Sequence, residues 1–320
     1  MTGTPRDRRR TVMAIVGPTA VGKTGVAVPV ARELRGEIVS ADSRQIYRGL
    51  DIGTAKPDAA ETAAAPHHLI DIAEPSERFD AARFASLAEH AIEDVFGRDL
   101  TPIVVGGTGF YVTSLFEGLF EGPGRDKAIR SRLEEDAARL GPRALHERLA
   151  AVDPDAADRL HPNDAVRVVR ALEVHESTGR TLSAWQREGR REPRYRPWYV
   201  LLTMDRELLY RRIELRVDRM VEAGLLEEVD RLLASGRLAE DMPAANALGY
   251  RELIPVVRGE RALEEAVEEI KRNTRRFAKR QVTWFSRTPA ELTIDMGKKE
   301  PEEAAHGLLE AWRRAAGRER

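Results

Sequence analysis

Four short apolar runs stand out along the chain, and each ends in small or polar residues. Thr11 to Val16 (TVMAIV), Glu37 to Ala41 (EIVSA), Pro102 to Val105 (PIVV) and Trp198 to Thr203 (WYVLLT) are too short for helices and lack the alternation of a sheet with one wet face. Runs of this kind are predicted to be strands buried on both faces, as in a parallel sheet. Between them, Gly25 to Leu34 and Phe79 to Phe96 carry helical spacing. Strand, helix, strand in this rhythm predicts an α/β fold with a doubly wound parallel sheet.

From Glu121 to Pro197 the strand signal is lost. The segment is rich in Arg, Glu, Ala and Leu, and Leu133, Leu140, Leu145 and Leu149 recur at helical spacing. It is expected to be a helical insertion domain, residues 121–197, set within a core of residues 1–120 and 198–320. Helices are also expected at Arg206 to Ala223, Glu227 to Ala234 and Leu263 to Phe285, and Pro301 to Arg320 reads as a helical, partly mobile tail. No internal repeat is visible.

Composition narrows the classes. With 42% hydrophobic and 33% charged residues among 320, the chain is that of a globular protein able to bury a sizeable core. The absence of cysteine excludes disulfides, thiolate zinc sites and cysteine nucleophiles, and agrees with a reducing cytoplasm. Arg6, Arg8, Arg9 and Arg10 precede an apolar run too short for a signal-peptide core or a membrane span, so a cytoplasmic enzyme without membrane association is expected. Lys plus Arg is 52 against 53 for Asp plus Glu, so any affinity for nucleic acid must be local. Every charged residue from Lys271 to Arg287 is basic: Lys271, Arg272, Arg275, Arg276, Lys279, Arg280 and Arg287. Such a stripe is either a nucleic-acid footprint or, more commonly, a solvated helix face.

The chemistry begins at Gly17, Pro18, Thr19, Ala20, Val21, Gly22, Lys23 and Thr24, which fit G-x-x-x-x-G-K-[ST] directly after a strand and before a helix. This P-loop presents backbone amides and a helix N-terminus to phosphate oxygens, Lys23 adds a positive charge, and Thr24 offers a hydroxyl to Mg²⁺. Asp42 ends the second strand at the sheet edge where ligands bind, so it is a candidate base; an N-cap is the equal alternative, and a dinucleotide-type ribose acid fails because G-x-G-x-x-G is absent. Gly106-Gly107-Thr108-Gly109 follows the third strand where many nucleotide-hydrolysing P-loop proteins carry an Mg²⁺-holding aspartate. Its lack of an acid counts against a water-activating ATPase.

Taken together, GPTAVGKT (17–24), SADSRQIYRGLDIGTAKP (40–57), HHLIDI (67–72), VVGGTGFY (104–111), HPND (161–164), RALEV (170–174), LGYRE (248–252) and RRFAKRQVTWF (275–285) resemble, in order, the tRNA dimethylallyltransferase family, also called tRNA isopentenyltransferase. Some eukaryotic members carry a C-terminal zinc finger, which a chain without cysteine cannot form, so the compact bacterial type is implied.

The resemblance implies transfer of a dimethylallyl group from dimethylallyl diphosphate to the exocyclic amine of the adenine 3′ to the anticodon. The P-loop would hold diphosphate rather than ATP, with Mg²⁺ at Thr24. Arg216, in RRIELRVDRM (211–220), is the arginine preferred for the leaving group over its neighbours Arg212 and Arg219. Asp42 matches the family's general base and Thr108 the hydroxyl beside the reacting centre. The resemblance extends tRNA contacts to Asp42, Ser43, Arg44, Gln45 and Thr108, to Arg130, to Val166, Arg167, Val168, Val169 and Arg170, and to Gly249, Tyr250 and Arg251. A monomer acting on the anticodon stem-loop is expected. The rivals are a free-adenylate isopentenyltransferase, with little use for an arginine-bearing insert, a P-loop small-molecule kinase, and a non-catalytic RNA-binding module that leaves the P-loop unexplained.

Overall fold

The computed structural model describes residues 9–118, 122–188 and 192–319. Arg6, Arg8 and the expected insert boundary at Glu121 lie outside them. The chain divides into two compact units, residues 1–116 with 194–320, and residues 117–193.

The first unit is built on six parallel strands: β1 (Arg10–Val16), β2 (Gly36–Ser40), β3 (His67–His68), β4 (Thr101–Gly106), β5 (Tyr195–Thr203) and β6 (Leu292–Asp295). Their order across the sheet is β3-β2-β4-β1-β5-β6, with β1 between β4 and β5. All six strands run one way, so every strand-to-helix loop opens at the same edge.

Residues alternate across the sheet. Met13, Ile15, Ile103, Val105, Val200 and Leu202 share one buried cluster with Val26, Ala27 and Val30 of α1 (Lys23–Leu34). On the opposite face α3 (Ala81–Gly97) packs against β2 and β4, burying Phe84, Ala88 and Ile92 outside that cluster. The sheet is thus covered on both sides, which is why its strands read as unbroken apolar runs. Short α2 (Ala59–Ala64) begins at a reciprocal capping box between Asp58 and Glu61, and α4 (Gly109–Glu117) follows β4.

The helical insert comprises α5 (Lys127–Leu140), α6 (Pro142–Val152), α7 (Pro154–Arg159), α8 (Ala165–Thr178) and α9 (Leu182–Arg187). It has its own core of Leu133, Leu145, Leu149, Val168, Val169 and Leu172. Leu140, which shares the helical spacing of Leu133, Leu145 and Leu149, is by contrast 49% exposed at the helix end. The observed unit boundary falls before β5 rather than at Trp198. The strand starts at Tyr195, whose ring is buried and whose hydroxyl donates to Glu93 Oε1 at 2.8 Å; Arg196 and Pro197 hid it by interrupting the apolar run.

After β5 come α10 (Arg206–Glu222), α11 (Leu225–Ala234), a 3-10 turn (Pro243–Asn246), α12 (Tyr250–Val257), the long α13 (Leu263–Phe285) and α14 (Pro301–Glu319). α11 and α12 build a second core with Ile46, Tyr47 and Leu50 from the segment after β2. α10 and α13 serve both cores: Leu209, Ile213 and Ala278 pack into the first, and Val217, Ala266 and Ile270 into the second. α14 is no loose tail: Ala304, Ala305, Leu308 and Leu309 are buried in the sheet-side cluster, against α1.

Candidate active site

Three loops leave adjacent strands at the open edge of the sheet: the P-loop after β1, Ala41–Asp42 after β2, and Gly106–Gly109 after β4. β4 lies between the other two, so Thr108 sits centrally. The loops are tightly apposed because Gly106 has no side chain; a Cβ there would lie 2.2 Å from the Ala41 carbonyl oxygen. The Thr108 amide donates to Ala41 O at 3.2 Å, and its Oγ1 accepts from the Ser43 amide at 3.0 Å and donates to Ser43 Oγ at 3.3 Å. Thr108 therefore pins the segment that bears Asp42.

Asp42 Oδ1 accepts from the amides of Arg44 at 2.8 Å and Gln45 at 3.4 Å. No helix starts here, so Asp42 closes a turn rather than the N-cap that was its alternative, and the turn fixes the orientation of its carboxylate. Asp42 lines two cavities. One, about 50 Å³, runs along Lys23, Thr24, Ser40 and Gly106. The other, about 450 Å³, is in the size range of small-ligand sites.

In the P-loop, Gly22 opens α1 in the left-handed region (φ 102°) with no side chain capping the helix, so the first amides of α1 are available to an anion. Lys23 Nζ donates to the carbonyls of Gly17 at 3.1 Å and Pro18 at 2.8 Å. Burial lowers its pKa to about 8, against the opposing pull of Asp42 and with help from Arg216. Arg216 Nη1 donates to Thr19 Oγ1 at 3.4 Å, and burial holds its pKa below the ordinary value, again opposed by Asp42. Arg212 and Arg219 are exposed. Of Arg212, Arg216 and Arg219, Arg216 is the one that hydrogen-bonds to the P-loop.

The larger cavity joins Thr19 and Arg216 to Asp42, Ser43 and Arg44, and its far wall comes from α13 through Arg276, Phe277 and Arg280. The basic stripe is thus divided. Its first half is paired to acids, Lys271 with Asp218, Arg272 with Glu269 and Arg275 with Glu214. Arg276 and Lys279 form no ion pair among the described residues.

Other expected contact residues are placed differently. Gln45 is occupied within the fold, its amide donating to Thr54 O and Ala55 O and accepting from Ser40. Gly249 and Arg251 line the larger cavity, whereas Tyr250 between them is fully buried. The Tyr250 hydroxyl donates to Glu228 at 2.5 Å, and burial, then Glu228, push its pKa well up. Tyr250 is packed as a core residue. In the insert, Val168 and Val169 are likewise withdrawn into the hydrophobic core, while Val166 is 69% exposed and Arg167 lies on the surface. Arg130 and Arg170 both pair with the buried carboxylate of Glu173. The spacing of α8 carried this distinction: residues 168, 169 and 172 form one stripe and 166, 167 and 170 the other.

Gln281, Phe277 and Asn273 were missed as individual site residues because they sit among the basic positions that dominated the reading of α13. The thirds-and-fourths spacing of Asn273, Phe277, Arg280 and Gln281 was the available signal, since it places them on one side of the helix.

A family model described as IPP transferase matches residues 45–288, and a second, described as isopentenyl transferase, matches residues 10–71. The chain belongs to the IPP transferase family. Among similar IPP transferase relatives, the tRNA dimethylallyltransferase of Anaeromyxobacter sp. strain Fw109-5 is 54% identical over 276 residues, covering 86% of this chain and 91% of that protein. The full-length tRNA isopentenylpyrophosphate transferase of Bacillus halodurans superposes with a TM-score of 0.70 at 40% identity, over 98% of this chain and 99% of the other. A eukaryotic dimethylallyltransferase acting on tRNA gives a TM-score of 0.80 at 29% identity, over 94% of this chain and 78% of that one. This IPP transferase thus has the expected α/β class, P-loop edge and parallel sheet in one fold. Among its described residues no helix is long and apolar enough to cross a membrane.

Proposed function

We propose that the protein transfers the dimethylallyl group of dimethylallyl diphosphate to the exocyclic amine of the adenine 3′ to the anticodon in tRNA, releasing diphosphate. The observation that carries this reading is a cavity in which Asp42 adjoins phosphate-binding groups, Thr19 and Arg216, and a wall of Arg276, Phe277 and Arg280. Phosphate chemistry and an RNA-suited surface meet at one carboxylate.

The diphosphate lies along the P-loop amides and the α1 N-terminus, with Lys23 and Arg216 beside it. As the carbon–oxygen bond breaks, charge grows on the leaving oxygen, and these fixed cations and dipoles stabilise that charge more than the ground state. The target adenine leaves its stack to enter the cavity, as bases do for enzymes that act on them. Thr108 and Asp42 hold the amine in line, and Asp42 accepts its proton as the nitrogen–carbon bond forms. Ser43 and Arg44 flank the base, with Gly249 and Arg251 across the cavity. Arg167 and Val166 on the insert's surface are proposed as further RNA contacts, and Arg130 and Arg170 as arginines whose cationic edge faces RNA while Glu173 holds them.

Mg²⁺ fits this site as a partly hydrated ion. Thr24 and Asp42 share the small cavity, and no cluster of three or more acidic or histidine ligands forms a protein cage among the described residues. Magnesium characteristically keeps waters and takes substrate phosphate oxygens. When bound it supplies neutralisation of the diphosphate charge. A cytoplasmic monomer suits such an enzyme.

The test is transfer of labelled dimethylallyl groups to an anticodon stem-loop, run beside free AMP, without Mg²⁺, and with Asp42→Ala. Mg²⁺-dependent labelling of the RNA alone, abolished in D42A while stem-loop binding persists, is the expected result. Labelling of AMP instead would assign a free-adenylate acceptor, and undiminished D42A turnover would remove Asp42 from the mechanism.

A further inference from the structure

Gln281 is an uncharged residue in the most basic part of α13, and it is 6% exposed. Both ends of its amide are used. Oε1 accepts from the Thr19 amide of the P-loop at 2.8 Å, and Nε2 donates to the Gly107 carbonyl after β4 at 2.8 Å. One planar side chain therefore spans the donor-side loop and the loop carrying Thr108, from the helix whose Arg276, Phe277 and Arg280 line the cavity. The fit is close. A Cβ on Gly107 would lie 2.5 Å from Gln281 Nε2 and 3.4 Å from Lys23 Nζ, so the amide, the Gly107 backbone and the lysine are packed together. Thr108 then relays the position of Gly107 to Ser43, beside Asp42.

We propose that Gln281 is a positioning residue for the transfer, setting the spacing between the diphosphate loop and the Thr108–Asp42 pair. The proposal rests on the prenyl-transfer reading above. Only a side chain with one acceptor and one donor in a fixed plane satisfies both backbone groups at once, since Thr19 N–H needs an acceptor and Gly107 C=O a donor. Loss of the amide leaves both groups without these partners and lets the two loops drift. Displacements of about 1 Å in such constellations are worth about a hundredfold in rate.

The experiment measures single-turnover transfer at saturating donor and stem-loop, together with the stem-loop Kd, for wild type, Gln281→Ala and Gln281→Glu. For Q281A the expected result is a rate lowered about tenfold or more, with the RNA Kd within about twofold of wild type. For Q281E, a neutral carboxyl restores one acceptor and one O–H donor, whereas the carboxylate has no donor for Gly107. The Q281E to wild-type rate ratio should therefore climb as pH falls, a response that a space-filling role would not produce. A wild-type rate in Q281A, or a loss of rate fully matched by loss of RNA affinity, overturns the proposal. Should Q281A fail to fold, a Q281E ratio that is flat with pH overturns it on its own. No transfer by the wild-type protein would instead overturn the prenyl-transfer reading, and this inference with it, which separates the two failures.

Discussion

Lys23 shows how much of the site is set by one residue's surroundings. Its ammonium is held by two carbonyls of its own loop, and burial brings its pKa down to about 8. The sign follows directly. Below pH 8 the group is charged and attracts diphosphate; as pH rises through 8 in the free protein it loses its proton and the attraction with it. Donor KM should therefore rise above pH 8, by up to about tenfold per pH unit where this group alone titrates. Lys23→Met should weaken donor binding at neutral pH by about tenfold or more and remove that step. A KM profile with the same step in K23M would assign it to another group. Lys23, Thr24 and Asp42 were legible in the sequence because a P-loop is a local object: strand, turn and helix are contiguous, and their contacts span few residues. Gln281 was not, since its partners Thr19 and Gly107 lie 262 and 174 residues away.

At the scale of elements, the sheet edge opposite the site is tied by Glu37 near the start of β2. Arg98, after α3, grips it in a fork at 2.6 and 2.8 Å, and His68 Nε2 on β3 lies 2.6 Å from Oε2. The Arg98 hydrogen bonds, against the cost of burial and with help from His68, lower the Glu37 pKa to about 2. A depressed carboxylate stabilises the fold above its unfolded pKa, near 4.5, and that contribution is lost as pH falls through about 2. Arg98 is partly exposed, so screening limits the contribution to about 1–2 kcal/mol. Glu37→Gln should lower stability by that amount at pH 7 and converge on wild type as pH approaches 2 in acid-unfolding experiments. A constant gap down to pH 2 would show that the ion pair is not its source. Glu37 read from sequence only as the start of a strand; β3, two residues long, and β6 were not read at all, because such short pairings draw their stability from neighbours rather than from their own pattern.

Across the whole molecule, 52 basic and 53 acidic residues nearly cancel, so binding to RNA depends on where cations are left unpaired. The insert makes the contrast visible. Among the described residues Arg167 is 66% exposed and paired only with its neighbour Asp164, whereas Arg170 donates to Pro123 O at 2.6 Å and pairs with Glu173, whose side chain is fully buried. Arg167→Ala should reduce the slope of log affinity for the stem-loop against log salt by about 0.7–0.9 and leave the melting temperature unchanged. Arg170→Ala should lower the melting temperature as well, since it removes one of two guanidinium partners of a buried carboxylate. An unchanged salt slope in R167A would take that arginine out of the RNA surface.

The sequence by itself determined the parallel sheet, the phosphate loop, Asp42 beside it and the presence of a helical insert. These follow from apolar runs, glycine placement and residues close together in the chain, where local sterics and hydrogen bonding decide the outcome. Only the tertiary structure decided that α14 packs on α1, that Tyr250, Val168 and Val169 are core, and that Lys271 and Arg275 of the basic stripe are spent on acids of α10. It also brought Gln281 between two loops. Burial and pairing are properties of what a side chain meets after the chain has closed on itself, and those partners come from distant segments that a local pattern does not contain.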